Sequence, residues 1–144
     1  MKNLTSYYPV ISTNEGEKLV AFFQENLGFE IVFESDWYWH LTMKGQPSVN
    51  IAFVQADHES VPEAYRQPVQ GLILNIEMKD IDAYYQQCKD QNWQVVLPLK
   101  SEPWGQRHFI VASPVSGLLI DLIEIIPPSE EFSKNYTSDA VPVS

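Results

Sequence analysis

The sequence predicts an α+β protein in which one module, strand–helix–strand–strand–strand, is used twice. Three observations carry this. Short segments of alternating or continuous apolar character are bounded by Gly, Pro, Asn, Asp and Ser, and two longer segments repeat at helical spacing. The same order of elements returns after a polar stretch near the middle. The copies also keep traces of shared sequence: Ala21-Phe22-Phe23 answers to Ala83-Tyr84-Tyr85, and Gly28-Phe29-Glu30-Ile31-Val32 to Asn92-Trp93-Gln94-Val95-Val96. Each copy is too small to bury a sheet alone, so the two are expected to share a core as a single domain over residues 1–126. Module one is placed at 6–54, the linker at 55–69, module two at 70–126 and a tail at 127–144.

In order, Tyr7 to Ser12 reads as a short strand with Pro9 at its edge or start. Asn14 can cap the segment Glu15 to Asn26, where Leu19, Phe22, Phe23 and Leu27 fall on one helical face and Gly28 ends it. Phe29 to Phe33 is a strand, and Ser35-Asp36 turns the chain. Trp37 to Met43 alternates, with Trp37, Trp39, Leu41 and Met43 on one face and Tyr38, His40 and Thr42 on the other. After the turn Lys44-Gly45-Gln46-Pro47, Val49 to Val54 is a strand carrying Asn50. Gln55 to Pro68 is a polar linker in which Pro-Glu-Ala-Tyr-Arg has the makings of a short helix.

Module two opens with a strand from Gly71 to Met78. Asp80 caps a helix through Gln91, with Ile81, Tyr84, Tyr85 and Cys88 on one face. Trp93 to Pro98 is the next strand. Pro103-Trp104-Gly105 is a turn, Arg107 to Val111 a strand, and Ser113 to Gly117 a tight reversal, since proline fixes φ and glycine accepts φ > 0. Leu118 to Ile126 is almost wholly apolar and reads as a buried strand. Asp121 lies inside it, and a carboxylate there is costly unless paired, hydrogen-bonded or facing a cavity. Glu124, also on this strand, is expected on the opposite side. Pro127-Pro128 stops the strand, and the rest lacks periodicity, so a surface tail is expected.

Composition narrows the function. The chain has 144 residues, 44% of them hydrophobic and 12% aromatic, enough for a packed core. The net charge of -10 disfavours phosphate backbones and would draw in a cation, or serves only solubility. No apolar run nears the roughly 20 residues that span a bilayer, and the start, MKNLTSYYPV, lacks a signal-peptide core, so a cytoplasmic location with no membrane partner is expected. The single cysteine, Cys88, excludes an internal disulfide, and its apolar neighbours favour a structural thiol over a nucleophile. GxSxG, P-loop and GxGxxG motifs are absent.

Leu27-Gly28-Phe29-Glu30, Asp80-Ile81-Asp82, Pro103-Trp104-Gly105-Gln106-Arg107 and Pro114 to Leu122 (PVSGLLIDL) occur in the order seen in the vicinal oxygen chelate superfamily, which holds glyoxalases, extradiol dioxygenases and bleomycin-resistance proteins. The chain resembles that group from Tyr7 to about Ile126, and most of all its bleomycin-resistance and glyoxalase-like branch. The resemblance implies two βαβββ modules whose curved mixed sheets form a cup around one ligand site, and a homodimer, often with exchanged modules.

In the enzymes of that group a divalent ion is held by His, Gln or Glu on the first strand of each module and Glu on the last. The corresponding positions are Tyr8, Asn50, Ile73 and Asp121, which do not supply the oxygen and imidazole donors such an ion needs. No metal or other cofactor is therefore expected. His40, His58 and His108 remain; His40 and His108 occupy related places in the two modules and are either surface residues or a general acid/base or metal pair. Glu77, Glu102 and Glu124 are further carboxylates.

The expected ligand contacts are Trp39, Asn50, Phe53, Trp104, Arg107 and Asp121. Flat aromatic faces with a few fixed polar groups suit a planar or cationic organic molecule, and Arg107 could clamp a carboxylate. The competing reading is that the rings fill the core. For Trp104 both stand open; Trp37 and Trp39 share a face, turned either inward or to a partner. The function expected is metal-free binding of a small aromatic or cationic molecule. The alternative is a metal-dependent lyase, isomerase or dioxygenase with a reduced site.

Overall fold

In the computed structural model, which describes residues 3–137, the order of elements is β1 (Val10–Thr13), α1 (Gly16–Asn26), β2 (Phe29–Glu34), β3 (Tyr38–Met43), β4 (Gln46–Gln55), a short 3-10 helix in the linker (Glu63–Tyr65), β5 (Leu72–Glu77), α2 (Ile81–Asp90), β6 (Val95–Glu102), β7 (Gln106–Ala112), β8 (Leu118–Ile125) and a one-turn helix, α3 (Glu130–Ser133). The strands form two open four-stranded sheets, ordered β1-β4-β3-β2 and β5-β8-β7-β6. In each, the first strand of the module pairs parallel with the last and the remaining pairs are antiparallel. This is the α+β fold of two βαβββ modules. The chain divides into two compact units, Met1–Gln70 with Pro114–Gly117, and Gly71–Ser113 with Leu118–Ser144.

In the first unit α1 covers one face of its sheet. Register puts Trp39 opposite Phe53 and Leu41 opposite Ile51, so these four share that face. Phe23 of α1 meets Phe29 and Phe53 edge-on, each with ring centroids 5.3 Å apart. Trp39 is seated against Gly16 at the start of α1, where any Cβ would overlap the six-membered ring. Burying each of these large side chains contributes roughly 2–3 kcal/mol. The helix start is held by Thr13, whose Oγ1 accepts from the Glu15 N–H at 3.0 Å, rather than by Asn14.

In the second unit α2 buries Ile81 and Cys88, and Tyr85 packs on Phe109 with centroids 4.8 Å apart. Phe109, Val111, Ile120 and Leu122 complete that core. Burial pushes the Cys88 thiol up to about 11, as an inert structural thiol requires. Asp80 stands at the start of α2 in the left-handed region and makes no side-chain cap. Glu124 replaces it: its Oε1 accepts the Ile81 N–H at 2.9 Å. A carboxylate from a neighbouring strand thus meets the exposed donors and positive end of the helix.

Two stretches differ from expectation. β6 continues through Pro98 to Glu102, which is possible because it is an edge strand and its pairing with β7 shifts on either side of the proline. The segment after Ile126 is docked as far as it is described. Ser129 N donates to the Pro103 carbonyl at 2.8 Å, Phe132 meets the Trp104 ring edge-on, and the Tyr136 hydroxyl donates to the Trp104 carbonyl. Its anchors are single residues with no period. Residues 138–144 of the expected tail lie outside the described residues.

Candidate functional site

Each sheet has a second face, opposite its helix, and the polar residues of interest collect there. On the first sheet the register forms cross-strand rows. Val10, Ala52, His40 and Phe33 make one row; Ser12, Val54 and Tyr38 make the next. Two residues before Val10, Tyr8 comes level with Asn50, which faces Thr42. His40 Nε2 lies 3.0 Å from Asn50 Oδ1, while the Asn50 amide nitrogen donates to the Pro47 carbonyl at 3.0 Å. Because the amide N–H is used there, its oxygen faces the ring and accepts the Nε2 proton. With Nε2–H donating to Asn50, the tautomer this bond selects carries its lone pair on Nδ1. Tyr8 packs on the ring at 4.6 Å between centroids. Burial, reinforced by the neighbouring Tyr8 phenol, raises the pKa of Tyr38.

Beside Tyr38 a groove of about 460 Å³ runs over Val10, Ser12 and Val54. The linker supplies one wall with Ser60, Val61 and Pro62. Trp37 forms another and is itself backed by His58, stacked at 3.6 Å between centroids with the planes 2° apart.

The second sheet repeats the arrangement with different chemistry. His108 Nδ1 lies 2.7 Å from Asp121 and its Nε2 lies 2.9 Å from Glu102. His108 and Asp121 are 5% and 7% exposed, so this is a buried cluster. Burial pulls the His108 pKa down, but the two carboxylates outweigh it and the net shift is upward. The His108 hydrogen bond likewise lowers the Glu102 pKa, against burial and with help from Lys100 at 3.4 Å. A carboxylate at each nitrogen favours the protonated form of the ring.

The two histidines occupy the same lattice position. His40 is registered with Ala52 and bonds Asn50 two residues earlier; His108 is registered with Ile123 and bonds Asp121 two residues earlier. Each finds its partner on the neighbouring strand of its own sheet, not in the other histidine.

Among the expected contact residues, Asn50 and Asp121 are on these faces. Trp39 and Phe53 are on the other: they are 4% and 0% exposed, beneath α1. The two-residue period is as expected, but the helix takes the aromatic set. Arg107 also points to the helix side, where Nε donates to Asp82 at 2.7 Å and Nη1 to Ser101 at 3.0 Å, so its guanidinium is committed to the start of α2. Trp104 is 39% exposed on the β6–β7 turn, its indole N–H donating to Gln106 at 2.8 Å. Opposite Asp121 the register places Asn75, not Ile73. The joining of Glu102 and His108 to Asp121 is the feature sequence reasoning missed; residues two apart on one strand and across from it carried the signal.

The family model for the glyoxalase/bleomycin resistance protein/dioxygenase superfamily matches residues 7–122. The chain belongs to this superfamily. No curated protein matches it. Among solved structures, a superfamily member from Sphaerobacter thermophilus DSM 20745 is similar at 23% identity and TM-score 0.68, over 86% of this chain and 99% of that one. TnmS3, an antibiotic binding protein from Streptomyces sp. CB03234, is similar at 21% identity and TM-score 0.64, over 88% and 99%. TioX from Micromonospora sp. ML1 follows at 13% and 0.65, over 85% and 100%. At these identities the likeness concerns the fold.

The superfamily implies a divalent ion, and the donors do not fit one. The corresponding positions hold a phenol, two amides and one carboxylate: Tyr8, Asn50, Asn75 and Asp121. The nearest imidazole, His108, has both ring nitrogens engaged by carboxylates, Nδ1 by Asp121 and Nε2 by Glu102, so neither faces an open coordination position. Among the described residues no group of three His, Cys, Asp or Glu side chains is arranged to hold a metal.

Proposed function

We propose that this protein binds a small organic molecule, aromatic or cationic, without a divalent ion, and sequesters it without turnover as a cytoplasmic homodimer. The single observation that carries the reading is the His108 cluster. Where a metal enzyme needs an imidazole nitrogen free to ligate, this chain has a histidine whose two nitrogens are both taken up by carboxylates, at 2.7 and 2.9 Å. The acidic charge of -10 and the aromatic open face of the first sheet favour a cation. Val10, Phe33 and Ile73 on the open faces are 49%, 55% and 50% exposed, which suits cover by a ligand or a second copy. TnmS3 is an antibiotic binding protein of the same fold, which supports a binding role. Asn50 remains a proposed contact, while Asp121 is taken up by His108.

The test is titration with a panel of cationic and aromatic antibiotics and metabolites in excess chelator, read by tryptophan fluorescence and by calorimetry. Saturable binding unaffected by the chelator, with the compound recovered unchanged, is the expected result. Binding only after a divalent metal is added, or steady conversion of a bound compound, would overturn it.

A further inference from the structure

The open face of the first sheet combines three features that together select a ligand. The first is an acceptor. Nε2 of His40 is engaged by Asn50, and Nδ1 has no partner among the described residues. No buried side-chain nitrogen or oxygen there lacks a partner, so Nδ1 reaches solvent. The second is a set of rings around that acceptor. Tyr8 packs on the imidazole, Phe33 is registered with His40 and more than half exposed, and Tyr38 lies two residues along the same strand face, its ring 6.2 Å from that of Phe33. The third is the groove beginning at Tyr38, whose floor is Val10, Ser12 and Val54.

A neutral imidazole nitrogen accepts a hydrogen bond, and ring faces attract positive charge. A groove with an apolar floor suits a flat hydrocarbon body. The sign of the surroundings agrees: residues 1–70 contain nine Asp and Glu against four Lys and Arg. Glu30, registered with Thr42, adds a carboxylate to the same face.

We infer that this face is a site for an amphiphilic organic cation, its flat body lying in the groove over Val10, Ser12 and Val54 and its N–H-bearing cationic head hydrogen-bonded to His40 Nδ1 among Tyr8, Phe33 and Tyr38. The inference rests on the binding role proposed above and names the sheet, the head group and the residue that receives it. The second sheet carries the same motif as a charged, self-satisfied cluster, so the module repeat has separated into a recognition half and a structural half.

Benzamidine, a planar ring with an amidinium head, is the probe, and benzamide its neutral counterpart. Amide chemical shifts are followed by NMR during titration of the full chain. The expected perturbations fall on residues 8–12, 33–40, 50–54 and 60–62. His40→Ala weakens benzamidine about tenfold through loss of the charged hydrogen bond, and Phe33→Ala, at an exposed position that leaves the core intact, about threefold. Benzamide binding as well as benzamidine, or benzamidine indifferent to both substitutions, would overturn the inference. Perturbations confined to the second sheet would overturn it while leaving the general binding role standing; a ligand panel with no binder at all would remove both.

Discussion

His108 Nδ1 and the Asp121 carboxylate lie 2.7 Å apart, on the same two-residue diagonal that joins His40 to Asn50 in the other module. Both partners are almost fully buried, and Glu102 closes the other side of the ring. Removing one member of such a cluster leaves an uncompensated buried charge. His108→Ala is therefore predicted to destabilise the protein by about 3 kcal/mol, measured by urea denaturation. A loss below about 1 kcal/mol would mean that the cluster is solvated like a surface pair.

The same cluster sets a pH dependence. The folded-state pKa of His108 is raised above 6.5, so its contribution is complete below that value and is lost as pH rises through the raised one. The Glu102 pKa is lowered below 4.5, so its contribution is complete above that value and is lost as pH falls through the lowered one. The stabilisation from the cluster is thus greatest between pH 4.5 and 6.5. Melting temperatures of the wild type and His108→Gln, scanned from acid to alkali, should differ most in that window and converge above it. A constant difference would contradict the assignment.

Gly16→Ala should be costly for a glycine near a helix start. The added methyl has nowhere to go but into the Trp39 ring. The predicted loss is about 1–3 kcal/mol, in the range for overpacking a core, with a change in near-ultraviolet circular dichroism as Trp39 shifts. The double variant with Trp39→Leu should recover much of it.

Glu124→Ala removes the carboxylate that accepts the Ile81 N–H at the start of α2. A cost of about 1 kcal/mol is expected, as for loss of an N-cap. Hydrogen exchange should quicken in the first turn of α2 and not in α1. Equal exchange in both helices would show that Asp80 caps α2 after all.

The fold was legible because its signals are local and repeated. Alternation in Tyr38–Met43, the apolar run Leu118–Ile125 and the helical spacing of Leu19 and Phe23 each fix an element, and their recurrence fixes the modules. The side of the sheet that each alternating set would choose was not legible. Trp39 and Phe53 suit a ligand or a helix equally well, and only the seat at Gly16 decides between them. Arg107 suits an anionic ligand until Asp82, 25 positions earlier in sequence, takes it. Asp121 was recognisable as an acid that needed a partner, but its partner is set by strand register, which sequence alone leaves open by a residue or two.

The central claim is binding without a metal, and the most direct test is metal analysis of protein purified without chelator, paired with thermal shifts on adding Mn, Fe, Ni, Co and Zn. A native-state ligand raises the melting temperature by mass action. The prediction is less than a tenth of an equivalent of metal per chain and no metal-induced shift, since both nitrogens of His108 are engaged by Asp121 and Glu102. One equivalent per chain with a marked stabilisation, lost in Asp121→Asn, would contradict the account and make this a metal-dependent lyase, isomerase or dioxygenase.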